Sequence, residues 1–347
     1  MSIHVFIAMS GGVDSSVSAH LLKEAGYQVS GIHLRLFPKT EPASDRAAAD
    51  LEETCRLLQI PLHYVNLETD FKERVITYFL EEYRLGHTPN PCIRCNQSIK
   101  FGLLLEKVRQ MGGDFLATGH YARIENSSPG LRLLKGIDRL KDQSYFLYIL
   151  NQLDLAQILF PVGGLNKAEV KQLAASLGLP AANHKESQDI CFIPGNDSRA
   201  FLSRNLAPVP GEIVDIDGKV LGQHPGLAYY TVGQRQGMGV SASERLYVIQ
   251  LDTLSNRLVI GPQSHLFKRR LTAGKLNWIS GQPPESKILV TLKFRYRSPE
   301  VKGVIEVRNN RVEVEFAEPQ KAIAPGQSVV FYQEDLVLGG GIIEETA

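Results

Sequence analysis

The sequence predicts an α/β chain: a Rossmann-like, doubly wound parallel sheet, then two small β-rich domains, the last of them barrel-like. Three observations carry this expectation. Up to about residue 120, apolar runs of strand length alternate with amphipathic helical stretches, the signature of βαβ units. Beyond Pro208-Val209-Pro210-Gly211 the apolar residues switch to two-residue alternation. Turn signals, Asp217-Gly218 and later Asn309-Asn310, then join paired runs. The expected divisions are 1–204, 205–275 and 276–347, in keeping with 347 residues at about 150 per domain.

The first element, His4-Val5-Phe6-Ile7-Ala8-Met9, is apolar throughout and reads as a buried parallel strand. Val13, Val17, Leu21 and Leu22 follow at helical spacing, so 10–16 is a strand-to-helix turn. Gly26 ends that helix, and 27–36 reads as the second strand. Ala47, Leu51, Cys55 and Leu58 mark an amphipathic helix that Pro61 stops, with Cys55 on its apolar stripe as a packed side chain. A third strand at 62–65 and a long helix at 71–85 come next. Two prolines make 87–92 a stiff loop, and a helix from about Gln97 to Met111 leads to a strand at 115–117 ending in Thr118-Gly119-His120. Helical patches are expected at 143–149 and 167–177, a polar segment at 183–189, and a short helix over 200–206 with Asp197 as its N-cap. Strand pairs are expected at 213–216 with 220–221, at 246–251 with 257–260, and among 288–296, 304–307, 312–316 and 328–332. No repeat or low-complexity segment interrupts the chain.

Composition narrows the classes. Apolar residues at 43% and charged residues at 22% are those of a globular protein, and the net charge of +1 leaves nucleic-acid binding to local patches. No run approaches the ~18 apolar residues of a membrane span, and the N-terminus enters a strand directly. The expected location is cytoplasmic, with no membrane partner.

The run Ser10-Gly11-Gly12-Val13-Asp14-Ser15-Ser16 carries the clearest chemistry. Paired glycines let backbone approach a ligand, the first helical N–H groups point at it, and the serines add hydroxyl donors. Asp14 supplies a carboxylate suited to Mg²⁺. No lysine follows the glycines, which excludes the G-x-x-x-x-G-K-[ST] loop. In a parallel sheet the ligand crevice lies at strand carboxyl ends, which brings Leu34 and Gly119 toward this loop. The run resembles the PP-loop of ATP pyrophosphatases. Four cysteines in such a chain argue for catalysis or metal over structural disulfides. Cys92 and Cys95 precede a helix N-terminus, a position that lowers a thiol pKa, and Cys191 follows the polar segment. Zinc is disfavoured, because no second CxxC or histidine pair completes a ligand set.

Read jointly, Ser10–Ser16, Thr88-Pro89-Asn90-Pro91, Cys95-Asn96, Lys100-Phe101, Ala117–Ala122, Lys141–Leu147 and Cys191-Phe192-Ile193 are similar to the tRNA-specific 2-thiouridylase family. The likeness continues through 231–235 and Arg295-Tyr296 to Pro325-Gly326-Gln327. It implies ATP-dependent replacement of the C2 oxygen of the wobble uridine, U34, by sulfur in tRNAs for lysine, glutamate and glutamine, with release of AMP and pyrophosphate. ATP and Mg²⁺ would be held by Ala8, Met9, Ser10, Gly11, Gly12, Val13, Asp14 and Ser15, with Leu34 and Gly119. Cys191 would carry a persulfide from a cysteine desulfurase relay. Cys95 would be the nucleophile that closes a Cys95–Cys191 disulfide. Asn90, Pro91 and Cys92 would border the target base; His120, Lys141, Asp142, Gln143, Arg295, Tyr296 and Gln327 would contact tRNA. Cys92 stands where many relatives carry Asp, so Cys92, Cys95 and Cys191 also suit a 4Fe-4S cluster bearing hydrosulfide, and both sulfur routes stay open. Two rivals are a PP-loop amidoligase, which needs neither the cysteines nor the β tail, and a non-catalytic iron–sulfur RNA-binding protein, which does not need 10–16.

Overall fold

Five parallel strands form the N-terminal sheet of the computed structural model, which describes residues 2–38, 42–128, 130–183, 190–193, 195, 197–242 and 244–347. They are β1 (His4–Ala8), β2 (Gln28–Arg35), β3 (Leu62–Asn66), β4 (Phe115–Ala117) and the late β7 (Ile158–Leu159), ordered β3-β2-β1-β4-β7. The order reverses between β1 and β4, so the ligand crevice falls above Met9 and Thr118. Helix α1 (Val13–Glu24) and helix α2 (Pro42–Leu57) each follow the strand before them. Cys55 packs in that core as expected, its thiol pushed up to about 11 by burial and then by Glu52.

Two longer helical runs cover residues 68–84 and 91–110, and each contains a π-helical stretch, Lys72–Thr77 and Asn96–Leu104. The second begins earlier than the sequence suggests. Pro91 sits in the first turn, where its missing N–H costs nothing, and Asn90 caps the helix by accepting from the N–H groups of Cys92 and Ile93. The stiff loop therefore ends at Asn90, and Cys92 and Cys95 are helical. Gly102 lies where the π turn brings the Gln97 carbonyl to 2.9 Å of any added Cβ, so a side chain there would break the turn. The patch expected at 143–149 is a single 3-10 turn, Ser144–Phe146. The segment 184–189 lies outside the described residues. Asp197 caps Ser198–Asn205 through the Ala200 N–H.

The β tail divides as the alternation suggests. A four-stranded sheet contains β8 (Gly211–Val214), β9 (Val220–His224), β10 (Leu246–Asp252) and β11 (Arg257–Pro262). The remaining strands, β12 (Phe267–Trp278), β13 (Ile288–Lys293), β14 (Val301–Arg308), β15 (Arg311–Lys321), β16 (Ser328–Gln333) and β17 (Leu336–Thr346), run β12-β15-β14-β13-β16-β17 and close through β12–β17 into a six-stranded antiparallel barrel. Asn309 and Asn310, both left-handed, make the β14–β15 turn. Strand β12 crosses the division expected at 275/276, its alternation obscured by Lys268-Arg269-Arg270.

A hairpin that the sequence reading did not anticipate, β5 (Ala122–Ser127) with β6 (Gly130–Lys135), leaves the parallel sheet and joins the barrel, Leu134 opposite Leu336. One core cluster runs from Phe6, Leu116 and Ile158 to Tyr145, Tyr148, Val330 and Tyr332. The barrel is thus fused to the sheet unit by shared apolar burial, each large side chain contributing about 1.5–3 kcal/mol. Among the described residues no helix is long and apolar enough to cross a membrane.

Candidate active site

The loop after β1 is built as a cradle. Gly11 takes a left-handed φ of 79°, and Gly12 precedes α1 with no side chain capping the helix, so the first N–H groups stay open to a ligand. The three serines divide their work differently from expectation. Ser15 and Ser16 are buried and both donate to the Gly12 carbonyl at 3.0 Å, shaping the turn, while the hydroxyl of exposed Ser10 accepts from the Gly12 N–H at 3.3 Å. His33 at the end of β2 holds the Met9 carbonyl at 2.8 Å, its ring N–H donating, which brings the Leu34 strand end beside the loop. Gly119 has a specific reason to be glycine: an added Cβ would lie 2.8 Å from the Ser15 nitrogen and 2.9 Å from the Asp14 carbonyl carbon. Its close approach is to α1 itself rather than to open cleft.

Asp14 is the second finding. Its carboxylate accepts from the Lys167 ammonium at 2.7 and 2.8 Å and from the Tyr121 hydroxyl at 2.7 Å. Lys167 opens the helix Lys167–Ser176, where Asn166 and Glu169 form a capping box. Its side chain is 10% exposed against 31% for Asp14, so this is a cleft-edge ion pair sealed on the lysine side. The sequence reading missed Lys167, which lies 153 positions from its partner. The cradle suits a polyphosphate: open N–H groups, a hydroxyl, and an ammonium held within reach. One carboxylate is also what Mg²⁺ commonly takes from protein when phosphates supply further oxygens.

The cysteines share one neighbourhood, since the charges of Cys95 and Cys92 act on Cys191. Cys92 and Cys95 lie at the start of the 91–110 helix, and Cys191 lies in a turn anchored by buried Phe192, which packs edge-on against Phe71 and Phe79. Desolvation acts against the lowered thiol pKa values expected at a helix start. Cys92 and Cys191 reach solvent and Cys95 is half-buried, yet the protein packed around Cys191 pushes its thiol up to about 12, with the charges of Cys95 and Cys92 adding and Lys100 opposing. Burial likewise raises Cys95 and Cys92 against the pull of Lys100. Lys100, one π turn beyond Cys95, is the common cation of the group. Among the described residues no three His, Cys, Asp or Glu side chains form a group able to hold a single metal ion.

The residues expected at tRNA fall into two sets. His120 is only 7% exposed, its Nδ1 on the Thr118 hydroxyl and its ring against Phe101 and Phe160; burial, then Lys100, lowers its pKa. Asp142 is 4% exposed and accepts from the Gly136 and Ser144 N–H groups, and burial raises its pKa. Gln143 accepts from the Tyr121 N–H at 3.0 Å. Asp142 and Gln143 hold the 136–146 loop through backbone N–H groups that burial would otherwise leave unpaired, while His120 is held by the Thr118 hydroxyl. Lys141, Arg295 and Tyr296 are partly exposed; the Tyr296 ring centre lies 4.4 Å from that of Phe146 and 5.7 Å from the Lys293 ammonium. Gln327 donates to the Thr88 carbonyl at 2.6 Å, on the loop that leads to Asn90 and Cys92.

Comparison with known proteins places this architecture. Family profiles match residues 3–195 as a tRNA methyl transferase HUP domain, 199–262 as a tRNA methyl transferase PRC-barrel domain, and 268–343 as an aminomethyltransferase beta-barrel domain. The chain is 47% identical to the tRNA-specific 2-thiouridylase MnmA of Geotalea uraniireducens, over 98% of this chain and 94% of that one. It is 45% identical to MnmA 1 of Caldanaerobacter subterraneus subsp. tengcongensis and 45% identical to MnmA of Roseiflexus castenholzii, over 98% of both chains in each case. With the parallel sheet, the phosphate cradle and the closed barrel all in place, the chain belongs to the tRNA-specific 2-thiouridylase family.

Proposed function

We propose that this enzyme thiolates C2 of the wobble uridine of tRNAs for lysine, glutamate and glutamine, using ATP and a protein persulfide. The observation that carries the reading is that one chain holds both a phosphate cradle, Ser10–Ser15, and three neighbouring cysteines brought together from two separate elements. The uracil C2 oxygen attacks the α-phosphorus of ATP and pyrophosphate leaves, which turns a poor leaving group into AMP. Charge that accumulates on the departing phosphates meets the α1 N–H groups, the Ser10 hydroxyl and Lys167. Asp14 is the residue that would hold Mg²⁺, which supplies further charge neutralisation.

Sulfur then moves within the cysteine set. A cysteine desulfurase or its relay protein leaves Cys191 as a persulfide. The Cys95 thiolate attacks Cys191 Sγ, forming the Cys95–Cys191 disulfide; the terminal sulfur departs to C2, and AMP leaves with the C2 oxygen. Two electrons have passed from the cysteines to the transferred sulfur, so a thiol reductant must reopen the disulfide before the next turnover. Cys92 borders the target base. The cluster route would instead use Cys92, Cys95 and Cys191 as its three protein ligands. Residues 1–204 carry the chemistry in this reading, and the barrel with Lys141, Arg295 and Tyr296 holds tRNA.

The test is mass spectrometry of digested tRNA after incubation with ATP and persulfide-loaded enzyme. Wild type and Cys92→Asp are expected to form 2-thiouridine without bound iron, and Cys95→Ser and Cys191→Ser to form none. An enzyme active only when it carries iron would overturn the persulfide route.

A further inference from the structure

Between the helix that caps at Asn90 and the two β domains lies one residue on which three elements converge. The Thr88 N–H donates to the Pro325 carbonyl at 2.8 Å, and the Thr88 carbonyl accepts from Gln327 Nε2 at 2.6 Å, both in the barrel turn 324–327. The Thr88 hydroxyl donates to the Thr231 hydroxyl of the central domain at 3.3 Å. Gly326 makes the first contact close: at φ +88° its missing Cβ leaves room for His87 and Thr88, which an alanine methyl would meet at 2.7 and 2.8 Å. The barrel turn is itself fixed, since the Gly326 N–H donates to the Ile343 carbonyl at 2.9 Å and the Ile343 N–H to the Gln327 carbonyl at 2.8 Å.

The segment beyond Thr88 is stiff enough to transmit position. Pro89 and Pro91 are buried and fix two backbone φ angles, and Asn90 between them caps the helix at Cys92 and Ile93. A clamp on Thr88 therefore sets the placement of Cys92 and Cys95 over only a few residues.

We propose that Gln327, Gly326 and Thr231 are positioning residues that clamp Thr88, so that the barrel and central domain hold the cysteine helix in its working place. The proposal rests on the thiolation reading for its catalytic consequence, but not for the clamp. Gln327 thus serves the catalytic loop in addition to any contact with tRNA.

The experiment compares wild type with Gln327→Glu, which keeps the shape but replaces the donor by an acceptor facing a carbonyl, and with Thr231→Val, which removes only the hydroxyl. Three quantities are read: the iodoacetamide alkylation rate of Cys95 in free enzyme, followed by peptide mass spectrometry; tRNA Kd; and thiolation kcat. Gln327→Glu is expected to change Cys95 alkylation about fivefold or more in free enzyme and to lower kcat at saturating tRNA about tenfold, a hydrogen bond lost against an unpaired carbonyl, whatever its effect on tRNA Kd. Thr231→Val is expected to move the same two quantities by about two- to threefold. Gln327→Lys, which restores an N–H donor, is expected to return Cys95 alkylation toward wild type. An effect of Gln327→Glu confined to tRNA Kd, or unchanged Cys95 alkylation in both Gln327→Glu and Thr231→Val, overturns the clamp. Because alkylation is measured without tRNA or ATP, its outcome stands even if the wild-type enzyme proves not to thiolate.

Discussion

Lys167→Met is the perturbation that the cradle geometry makes most informative. The ammonium touches both Asp14 oxygens at 2.7 and 2.8 Å and lies 5.7 Å from the Tyr121 ring centre. Methionine keeps most of the apolar stem and removes the charge. Exposed ion pairs contribute about 0–1 kcal/mol, whereas breaking a buried pair costs about 3–5 kcal/mol. This pair, with side chains 10% and 31% exposed, falls between, so Lys167→Met should cost about 2 kcal/mol. For a unit of this size that corresponds to a Tm lower by about 4–8 °C. Asp14→Asn should cost a similar amount by stranding the lysine. The double variant strands neither charge and should lose less than the sum by about 1–2 kcal/mol. Pyrophosphate release behaves differently: all three variants should lose it by about a hundredfold or more, because the missing groups serve the phosphates directly. Thermal unfolding and tRNA-dependent pyrophosphate release of the four proteins supply the cycle. Additive Tm losses, or near-normal release by Lys167→Met, would refute the reasoning.

Two more outcomes are expected of the site. Because burial raises the Cys95 thiol, the thiolate fraction grows about tenfold per pH unit below its pKa, so single-turnover sulfur transfer from persulfide-loaded enzyme should climb from pH 7 to pH 9. Lys100→Met, which removes the opposing cation, should push that rise to higher pH; a flat profile in both proteins would show that Cys95 is not the titrating nucleophile. Arg295→Gln should weaken tRNA binding and shrink the slope of log Kd against log salt by about one, leaving ATP affinity unchanged. An unaltered salt series would remove Arg295 from the phosphate contacts.

How far the sequence reaches depends on the range of the interaction concerned. The apolar run at His4–Ala8, the helix from Val13 and the Asp197 cap depend on neighbours a few residues apart, and each appears where the pattern puts it. The phosphate cradle is equally local: glycines, serines and a helix start within seven residues specify it. The barrel strands announce themselves by alternation, and Asn309-Asn310 by its tolerance of left-handed backbone.

Tertiary structure decided what depends on burial and on distant partners. Local position favours thiolate at Cys92 and Cys95, but desolvation, set by how the chain packs around them, pushes their pKa values the other way. His120 and Asp142 are polar in sequence, yet the backbone and hydroxyl partners that let them be buried form only in the fold. The β5–β6 hairpin belongs to the barrel because Leu134 meets Leu336, and no pattern within residues 122–135 contains that information. The same holds for Lys167 on Asp14 and Gln327 on Thr88, 153 and 239 positions apart. Periodicity and turn chemistry write the elements into the sequence. Charge neutralisation and desolvation act through space, so the groups that meet at the cleft are fixed only when the chain has closed.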